Sequence, residues 1–313
     1  MTSIGGYFEL ELPQGTEYHS NAIALNTGRN ALEYILRVRG YQRVYLPYYS
    51  CEVLLEPFEK LGVDYTFYHI NVNLEADFQE SLHSDEAILY INYFGLKQDH
   101  VKALAQRYGK QLIVDNTQAF FAGPIDGIDT FYSCRKFFGV PDGAYLYCDQ
   151  KLDADLEQEH SWDRMTHLLK RIDVSAEAAY ADFREQSVKL KYNPIKRMSS
   201  LTRRLMSSVD YDQSAATRRQ NYQFLDHTLG SKNGISLPLD DDAVPMVYPF
   251  LTIDQQLRHR LIDNKVYVAT YWPNVLDWVN TDSTEYTLAA QLLPLPIDQR
   301  YGEDDLTRIF KLI

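Results

Sequence analysis

The sequence predicts an α/β fold in which a large domain with a mainly parallel sheet is followed by a small α+β domain. Apolar, strand-like segments alternate with helix-like segments early in the chain, and this alternation favours a doubly wound parallel sheet. Beyond residue 150 the chain becomes charged, low in glycine and helix-like, before strand-like segments return. We therefore predict a large α/β domain over residues 1–190, and a helical crossover with the small C-terminal domain over residues 191–313.

The strand predictions rest on short runs of apolar and β-forming residues. Four of them lie early in the chain, at 43–47, 63–70, 87–92 and 111–115. The last two are apolar almost throughout, which is typical of strands covered on both faces of a sheet. Two more strand-like segments, 247–253 and 265–270, lie in the C-terminal part.

Helical patterns separate the early strands, at 30–38, 52–61 and 100–108. The third is followed by Gly109, a residue type that commonly ends a helix. From 151 to 229 the pattern stays helical apart from an interruption at Asn193-Pro194. This long helical stretch is what we expect of the crossover between the two domains.

Composition excludes several classes of protein. Hydrophobic residues make up 45% of the chain and charged residues 24%, as in ordinary globular proteins. The net charge of −12 argues against general nucleic-acid binding, because duplex binders carry a basic surface. Cys51, Cys134 and Cys148 are too few for a disulfide framework or a zinc cluster. With no signal-peptide pattern and no apolar run near the ~18 residues of a membrane span, we expect a cytoplasmic protein.

Two residues are candidates for chemistry. Asp115 ends an apolar strand, and ligands bind at the carboxyl ends of strands in open α/β sheets. A carboxylate there either keeps the ring nitrogen of a cofactor protonated or caps a turn. Lys136 precedes two phenylalanines and a Gly/Pro-rich turn, an apolar setting in which an amine becomes a usable nucleophile. The alternative is a surface lysine that lies along an apolar turn.

A phosphate site is predicted at residues 25–32. These residues read as a turn that leads into a helix, and the free N–H groups at a helix start bind anions. Gly28 lets the backbone approach such an anion closely, although a simple N-cap explains the same residues. Ser133, three residues before Lys136, is placed to donate a hydrogen bond to the same phosphate.

Two other clusters have less specific readings. Residues 189–206 carry six basic residues and no acidic one, which indicates either a polyanionic ligand, such as a nucleotide diphosphate, or a solvated helix face. His160, Asp163 and His167 fall at helical spacing, but a metal site needs more ligands than these. We interpret them as part of a surface helix and predict no metal site.

Taken in order along the chain, these segments resemble the StrS/DegT-type aminotransferases, which are fold-type I pyridoxal-phosphate enzymes with the aspartate-aminotransferase fold. Residues 26–32 resemble the family's phosphate-binding turn, and 44–50 its strand–proline segment beside the cofactor. Asp115-Asn-Thr-Gln118 is similar to the family's Asp-x-x-His/Gln motif, and 133–143 to its serine–lysine–glycine segment. Tyr192-Asn193 with Arg197-Met198 resembles its Tyr-Asn-Tyr-Arg-Met element.

The resemblance implies pyridoxal 5'-phosphate as cofactor, held covalently by Lys136. It assigns the ring nitrogen to Asp115 and the ring hydroxyl to Gln118. The phosphate would be bound by Ser133, Thr27, Gly28 and Arg29, and by Asn193 of a second subunit in a homodimer. The implied reaction moves an amino group from an amino acid such as glutamate to a nucleotide-linked keto-sugar. Another reaction of the same cofactor, such as amino-acid transamination or a lyase reaction, and a non-catalytic relative remain alternatives.

The chain departs from the family pattern in its spacing and at one ring contact. The serine–lysine spacing is compressed to Ser133-Cys134-Arg135-Lys136, and the stretch between Asp115 and Lys136 is short. Cys51 stands where an aromatic or other residue that packs on the cofactor ring is expected. These shortened loops affect the expectation of a sugar substrate more than the expectation of the cofactor.

Overall fold

The computed structural model describes residues 4–313 and contains an eight-stranded mixed sheet. In chain order the strands are β1 (Ile23–Leu25), β2 (Arg43–Pro47), β3 (Asp64–Ile70), β4 (Ala76–Asp77), β5 (Glu86–Ile91), β6 (Leu112–Asp115), β7 (Asp129–Ser133) and β8 (Ala144–Tyr147). In the sheet they lie in the order β1-β8-β7-β6-β5-β2-β3-β4. The central strands β7, β6, β5, β2 and β3 are parallel, whereas β1, β4 and β8 run antiparallel to their neighbours.

The helices lie mostly between these strands and in the C-terminal part. They are α1 (Gly28–Arg39), α2 (Glu56–Leu61), α3 (Gln98–Tyr108), α4 (Thr166–Asp173), α5 (Ala176–Lys189), α6 (Ser200–Met206), α7 (Tyr211–Leu229), α8 (Leu257–Asp263), α9 (Val275–Trp278), α10 (Thr284–Gln291) and α11 (Glu303–Phe310). The predicted α/β class and mainly parallel sheet are therefore confirmed. The four early strand predictions match β2, β3, β5 and β6, and every residue of β5 and β6 is buried.

The start of α1 follows from its first residues. Thr27 is the N-cap, and its Oγ1 accepts a hydrogen bond from the Asn30 backbone N–H at 3.2 Å. Gly40 ends the helix in the left-handed conformation at φ 66°, which glycine adopts without steric cost. The helix packs against β7 and β8. This packing brings the N-terminal end of α1 to the carboxyl-terminal end of β7.

Two element predictions are wrong. Residues 151–165 form extended chain and one 3-10 turn rather than a helix. The segment from His160 to His167 is therefore not continuous helix, and its expected helical spacing does not exist. Residues 265–270 show the alternating burial of a strand but pair with no other strand among residues 4–313. Their Ala269 carbonyl instead accepts a hydrogen bond from Arg258 Nη1 at 2.6 Å.

The C-terminal part contains a second, small sheet. β9 (Tyr248–Leu251) and β10 (Leu292–Leu295) pair antiparallel, and α11 packs along the 19-residue helix α7. Glu285 is buried and accepts a hydrogen bond from the Ile70 backbone N–H at 2.7 Å, which fastens α10 to the end of β3. The division at residue 190 stays a prediction.

Among the residues that the structure describes, no helix is long and apolar enough to cross a membrane. Cys51, Cys134 and Cys148 are all free thiols. Cys134 is buried completely, and burial raises its pKa well above the usual range.

Candidate active site

The ends of β6 and β7 meet the start of α1 at one edge of the large sheet. β6 ends at Asp115, β7 ends at Ser133, and α1 begins at Gly28. A Cβ atom on Gly28 would lie 3.3 Å from Thr117 Cγ2 and 3.9 Å from Ser133 Cβ. The helix start therefore packs directly against both strand ends, and a side chain at residue 28 would fill the space between them.

Asp115 is buried at the bottom of this space. One of its carboxylate oxygens accepts a hydrogen bond from the Thr117 backbone N–H at 2.8 Å. Burial raises the pKa of Asp115, and the charge of Lys136 and the bond from Thr117 oppose that effect. A nearby positive charge stabilises a carboxylate that is buried away from water. Here that positive charge is Lys136.

The amine of Lys136 lies beside the same turn. Its Nζ donates a hydrogen bond to Thr117 Oγ1 at 3.0 Å. Our expectation that the two following phenylalanines desolvate this lysine is wrong, because Lys136 is exposed. Phe137 and Phe138 are buried and pack against Phe120. The phenylalanines thus anchor the turn and leave the amine free to reach a ligand.

A buried arginine fixes this turn from behind. The Arg218 guanidinium lies 4.5 Å from the centre of the Phe137 ring and donates to the Met246 carbonyl at 3.0 Å. Gln299 Nε2 donates to the Phe137 carbonyl at 3.0 Å. Burial lowers the pKa of Arg218 to about 10, so the side chain remains a cation at neutral pH. The position of Lys136 therefore depends on α7 and on the C-terminal segment.

The predicted phosphate site has the expected donors. Within the described chain the Gly28 and Arg29 N–H groups have no acceptor, as at any helix start. Ser133 is partly buried and lies beside Gly28. The Arg29 side chain itself is engaged, since its Nη1 lies 2.5 Å from Glu56 Oε2. The backbone of residue 29, rather than its guanidinium, is available to an anion.

All of these groups open into one cavity of about 1400 Å³. Its polar floor contains Asp115, Thr117, Ser133 and Lys136. The helical hairpin of α4 and α5 forms an apolar wall with Leu168, Ile172, Tyr180 and Phe183, and the C-terminal part adds Tyr267, Val268 and Trp272. Cys51 also lines the cavity, and burial raises the pKa of its thiol.

Two predicted cofactor contacts lie outside the cavity lining. Gln118 is fully buried, and its Oε1 accepts a hydrogen bond from the Phe94 backbone N–H at 3.0 Å. Its Nε2 has no partner in the described part of the chain. Asn193 Nδ2 donates to the Lys189 carbonyl of its own chain at 2.9 Å. The roles of Gln118 and Asn193 stay predictions.

The basic segment 189–206 is not gathered around the cavity. Four of its cations form ion pairs with acidic side chains, namely Lys189 with Glu185, Lys196 with Glu157, Arg197 with Asp155 and Arg203 with Glu17. Of the two readings left open by the sequence, the structure favours the solvated surface. The one group of potential metal ligands among residues 4–313 is Asp129, Cys148 and Asp149. Arg39 bonds both of these carboxylates.

Sequence reasoning missed three parts of the site. Thr117, the partner of Lys136, lies inside the Asp115–Gln118 motif but was given no role. Arg135 lines the cavity and was quoted only as a spacing residue. The apolar wall from α4 and α5 has no motif that identifies it, because only its packing over the strand ends brings it to the site.

Solved structures show what this arrangement resembles. The sugar aminotransferase CalS13 from Micromonospora echinospora matches with a TM-score of 0.63 and 14% identity, over 94% of this chain and 86% of that chain. A DegT DnrJ EryC1 StrS aminotransferase from Brucella abortus matches with a TM-score of 0.62 and 15% identity, over 93% and 84%. The E. coli GDP-4-keto-6-deoxy-D-mannose-3-dehydratase with bound hydrated PLP gives a TM-score of 0.63 and 15% identity, over 93% and 87%.

The predicted aspartate-aminotransferase-like fold is confirmed. No protein-family model matches the chain, and no curated protein matches its sequence. Because the identities are low, the likeness of the solved structures establishes the fold and not the reaction.

Proposed function

We propose that this chain is a pyridoxal 5'-phosphate-dependent aminotransferase that moves an amino group from an amino acid such as glutamate to a nucleotide-linked keto-sugar. One observation carries the proposal. A reachable lysine amine, a buried carboxylate and a helix start with free N–H groups share one cavity at the ends of two parallel strands. An aldehyde that carries an aromatic ring nitrogen and a phosphate has a partner for each of its functional groups there.

The residues present fit this cofactor on physical grounds. Asp115 is buried with a raised pKa, so a protonated ring nitrogen would offset the cost of its charge. A side chain at residue 28 would crowd Thr117 and Ser133 at the start of α1, where the free N–H groups are available to a phosphate.

The role of each residue follows from its position. When bound, pyridoxal phosphate supplies an electron sink for the carbon that loses a proton. Lys136 would hold the cofactor, and its Nζ, once displaced by the amine of the amino-acid donor, would be free to take up and return that proton, a role for which its exposed position is suited. Asp115 keeps a proton on the ring nitrogen. Thr117 Oγ1 accepts from Lys136 Nζ at 3.0 Å and orients the amine.

The choice of acceptor draws on the structural neighbours. They include sugar aminotransferases and a GDP-4-keto-6-deoxymannose-3-dehydratase. The cavity of about 1400 Å³ exceeds the size of most single-ligand pockets, so there is space for a second molecule beside the cofactor. We also propose the homodimer of the family, with Asn193 directed to the partner's phosphate site and the protein located in the cytoplasm.

Covalent capture of the cofactor tests this proposal. The native protein and the variants Lys136→Ala and Lys110→Ala would be incubated with pyridoxal phosphate, reduced with borohydride and analysed by peptide mass. We expect cofactor mass on the peptide that contains Lys136 in the native protein and in Lys110→Ala, and none in Lys136→Ala. Lys110 is a suitable control because it is an exposed lysine paired with Asp149.

A second step separates the alternatives. Release of 2-oxoglutarate from glutamate, in one equivalent without sugar and continuously with a keto-sugar nucleotide, supports the proposed reaction. Sugar dehydration without keto-acid release favours the chemistry of the dehydratase neighbours. If the native protein retains no cofactor, it shares only the fold of these enzymes. The proposed roles of Lys136 and Asp115 would then be wrong.

A further inference from the structure

The hairpin formed by α4 and α5 lies beside the turn that carries Lys136. Its two helices pack against each other, and Lys170 Nζ lies 2.7 Å from Asp182 Oδ2 between them. Leu168 reaches the turn after Lys136, since a Cβ atom on Gly139 would lie 3.5 Å from Leu168 Cδ2. The inner side of the hairpin is thus in contact with the candidate site.

The base of the hairpin is anchored to α2. Leu190, the residue after α5, is buried. The Tyr192 backbone N–H donates to Glu56 Oε1 at 2.8 Å, and the Tyr192 hydroxyl donates to Glu59 Oε2 at 2.8 Å. Both carboxylates belong to α2. These contacts fix the C-terminal end of α5 in place.

The tip of the hairpin is held by one side chain. Glu177, in the first turn of α5, accepts a hydrogen bond from the Tyr267 hydroxyl at 2.7 Å. Its Oε1 also lies 3.6 Å from Lys265 Nζ. Within the described chain, no other side chain of α4 or α5 forms a hydrogen bond or an ion pair with residues 200–313. All three side chains are exposed, so water competes for this contact and keeps it weak.

The inner face of the hairpin does little to hold it closed. Ile172, Tyr180 and Phe183 line the cavity, yet they are 86%, 60% and 46% exposed. Because these side chains are already largely in water, an outward movement of the hairpin would uncover little further apolar surface. The contact of Glu177 with Tyr267 is therefore the main obstacle to such a movement at the tip.

We propose that the α4–α5 hairpin is a lid that opens at its tip, and that Glu177 latches this lid to Tyr267 and Lys265. Glu177 and Tyr267 both line the cavity, so breaking their contact opens the cavity between α5 and residues 265–270. Closure shields the candidate site from water, and opening admits a small molecule. The proposal concerns access to the cavity and does not depend on which reaction takes place there.

Alkylation of Cys51 by iodoacetamide would measure access to the cavity. Cys51 lines the cavity and is a free, partly buried thiol. Cys148, which lies beside Arg39, is the internal reference for general loosening of the protein. The rate at each cysteine would be followed by peptide mass, and no cofactor or substrate is needed.

Two variants remove the latch, and a third is the matched control. Glu177→Ala removes the carboxylate, and Tyr267→Phe removes only the hydroxyl group. Glu185→Ala removes an exposed carboxylate of the same helix whose partner, Lys189, also lies in α5. Thermal unfolding verifies that each variant is folded.

We expect Glu177→Ala to speed the alkylation of Cys51 by roughly 2- to 5-fold, the effect of losing an exposed charged contact. Tyr267→Phe should speed it by a smaller factor, because the ion pair with Lys265 remains. The double variant Glu177→Ala/Tyr267→Phe should react no faster than Glu177→Ala, since the two side chains form one contact. Glu185→Ala should react at the native rate, and Cys148 should do so in every variant.

Three results would overturn the proposal. An unchanged rate at Cys51 in Glu177→Ala would mean that the hairpin does not control access to the cavity. An equal increase in Glu185→Ala, or a parallel increase at Cys148, would mean that the substitutions loosen the protein rather than release the tip. Additive increases in the double variant would mean that Glu177 and Tyr267 act separately and do not form a latch.

Discussion

Asp115 and Lys136 differ in the solvation of their charged groups, because the carboxylate is buried and the amine is exposed. Asp115 has one described donor, the Thr117 N–H, and its burial raises its pKa. Its charge is thus a cost to the protein without a ligand, of the kind that functional sites commonly carry. Lys136 offers its amine to the cavity without such a cost, since it is exposed. The unfavourable burial of charge in this site therefore lies at the Asp115 carboxylate and not at the Lys136 amine.

Asp115→Asn separates stability from activity. The amide keeps an oxygen for the Thr117 N–H and removes the buried charge, so the cofactor-free variant should unfold in urea at the same concentration as the native protein or higher. Turnover with glutamate should fall by roughly 100-fold or more, as when a group that controls a proton is lost. Asp129→Asn is the control, because Asp129 is buried at the amino-terminal end of the adjacent strand β7, beside Arg39. A stable Asp115→Asn variant with native turnover would contradict this role.

At the scale of elements, the turn from Cys134 to Gly143 holds the lysine in register with α1. The Cys134 N–H donates to the Gly143 carbonyl at 3.1 Å, and the Gly143 N–H donates to the Asn26 carbonyl. Gly143 has φ 115°, and a Cβ there would lie 2.9 Å from Thr202 Cγ2 and 3.0 Å from Cys134 Sγ. The glycine thus lets three segments come into contact behind the site.

Gly143→Ala should therefore destabilise the protein by about 2 kcal/mol or more, because it adds a strained φ to an overpacked contact. The free energy of unfolding in urea would measure it. Gly123→Ala serves as control, since a Cβ on Gly123 meets no atom within 4 Å. A change of less than about 0.5 kcal/mol, within the usual range for surface substitutions, would show that the contact relaxes freely.

Elements with a local signal could be predicted from sequence. β5 and β6 are apolar throughout because both faces are covered, and α1 starts where Thr27 caps it. The segment 265–270 has the alternation of a strand, yet no strand in the part of the chain that the structure describes pairs with it. Tyr267 and Val268, one exposed and one buried, both line the cavity instead. A burial pattern alone cannot show whether an alternating segment pairs as a strand or lines a cavity.

The candidate site shows the same limit. Asp115, Ser133 and Lys136 lie in motifs, so their meeting could be predicted from the order of strands. The wall from α4 and α5, and the surroundings of Arg135 in the cavity, depend on which distant side chains reach the turn. Asp142 is near Arg135 in sequence, but Ser199 and Thr202 occupy its oxygens. Contacts between residues so far apart in sequence produce no recognisable spacing pattern in the chain.

For the whole molecule, one buried histidine couples stability to pH. His19 is almost fully buried. Its Nε2 donates to the Phe120 carbonyl at 2.8 Å, so its Nδ1 accepts from the Tyr147 hydroxyl at 3.1 Å. The rings of Tyr18, Phe120, Tyr132 and Tyr145 surround it. This environment suits the neutral imidazole, and burial lowers the pKa of His19 from 6.5 to about 4.

The sign of the pH dependence follows from that shift. Between pH 6.5 and pH 4 the unfolded chain binds a proton at this position and the native protein does not. The contribution of His19 to the free energy of unfolding is therefore complete above pH 6.5 and is lost as the pH falls, by about 3 kcal/mol at most.

Urea unfolding at a series of pH values should show this loss in the native protein. In His19→Gln, which keeps a donor for the Phe120 carbonyl but does not titrate, the curve should be flatter by that amount. Replacing the exposed His160 by glutamine should leave the slope unchanged. Parallel curves for the native protein and His19→Gln would show that acid unfolds the molecule through other groups.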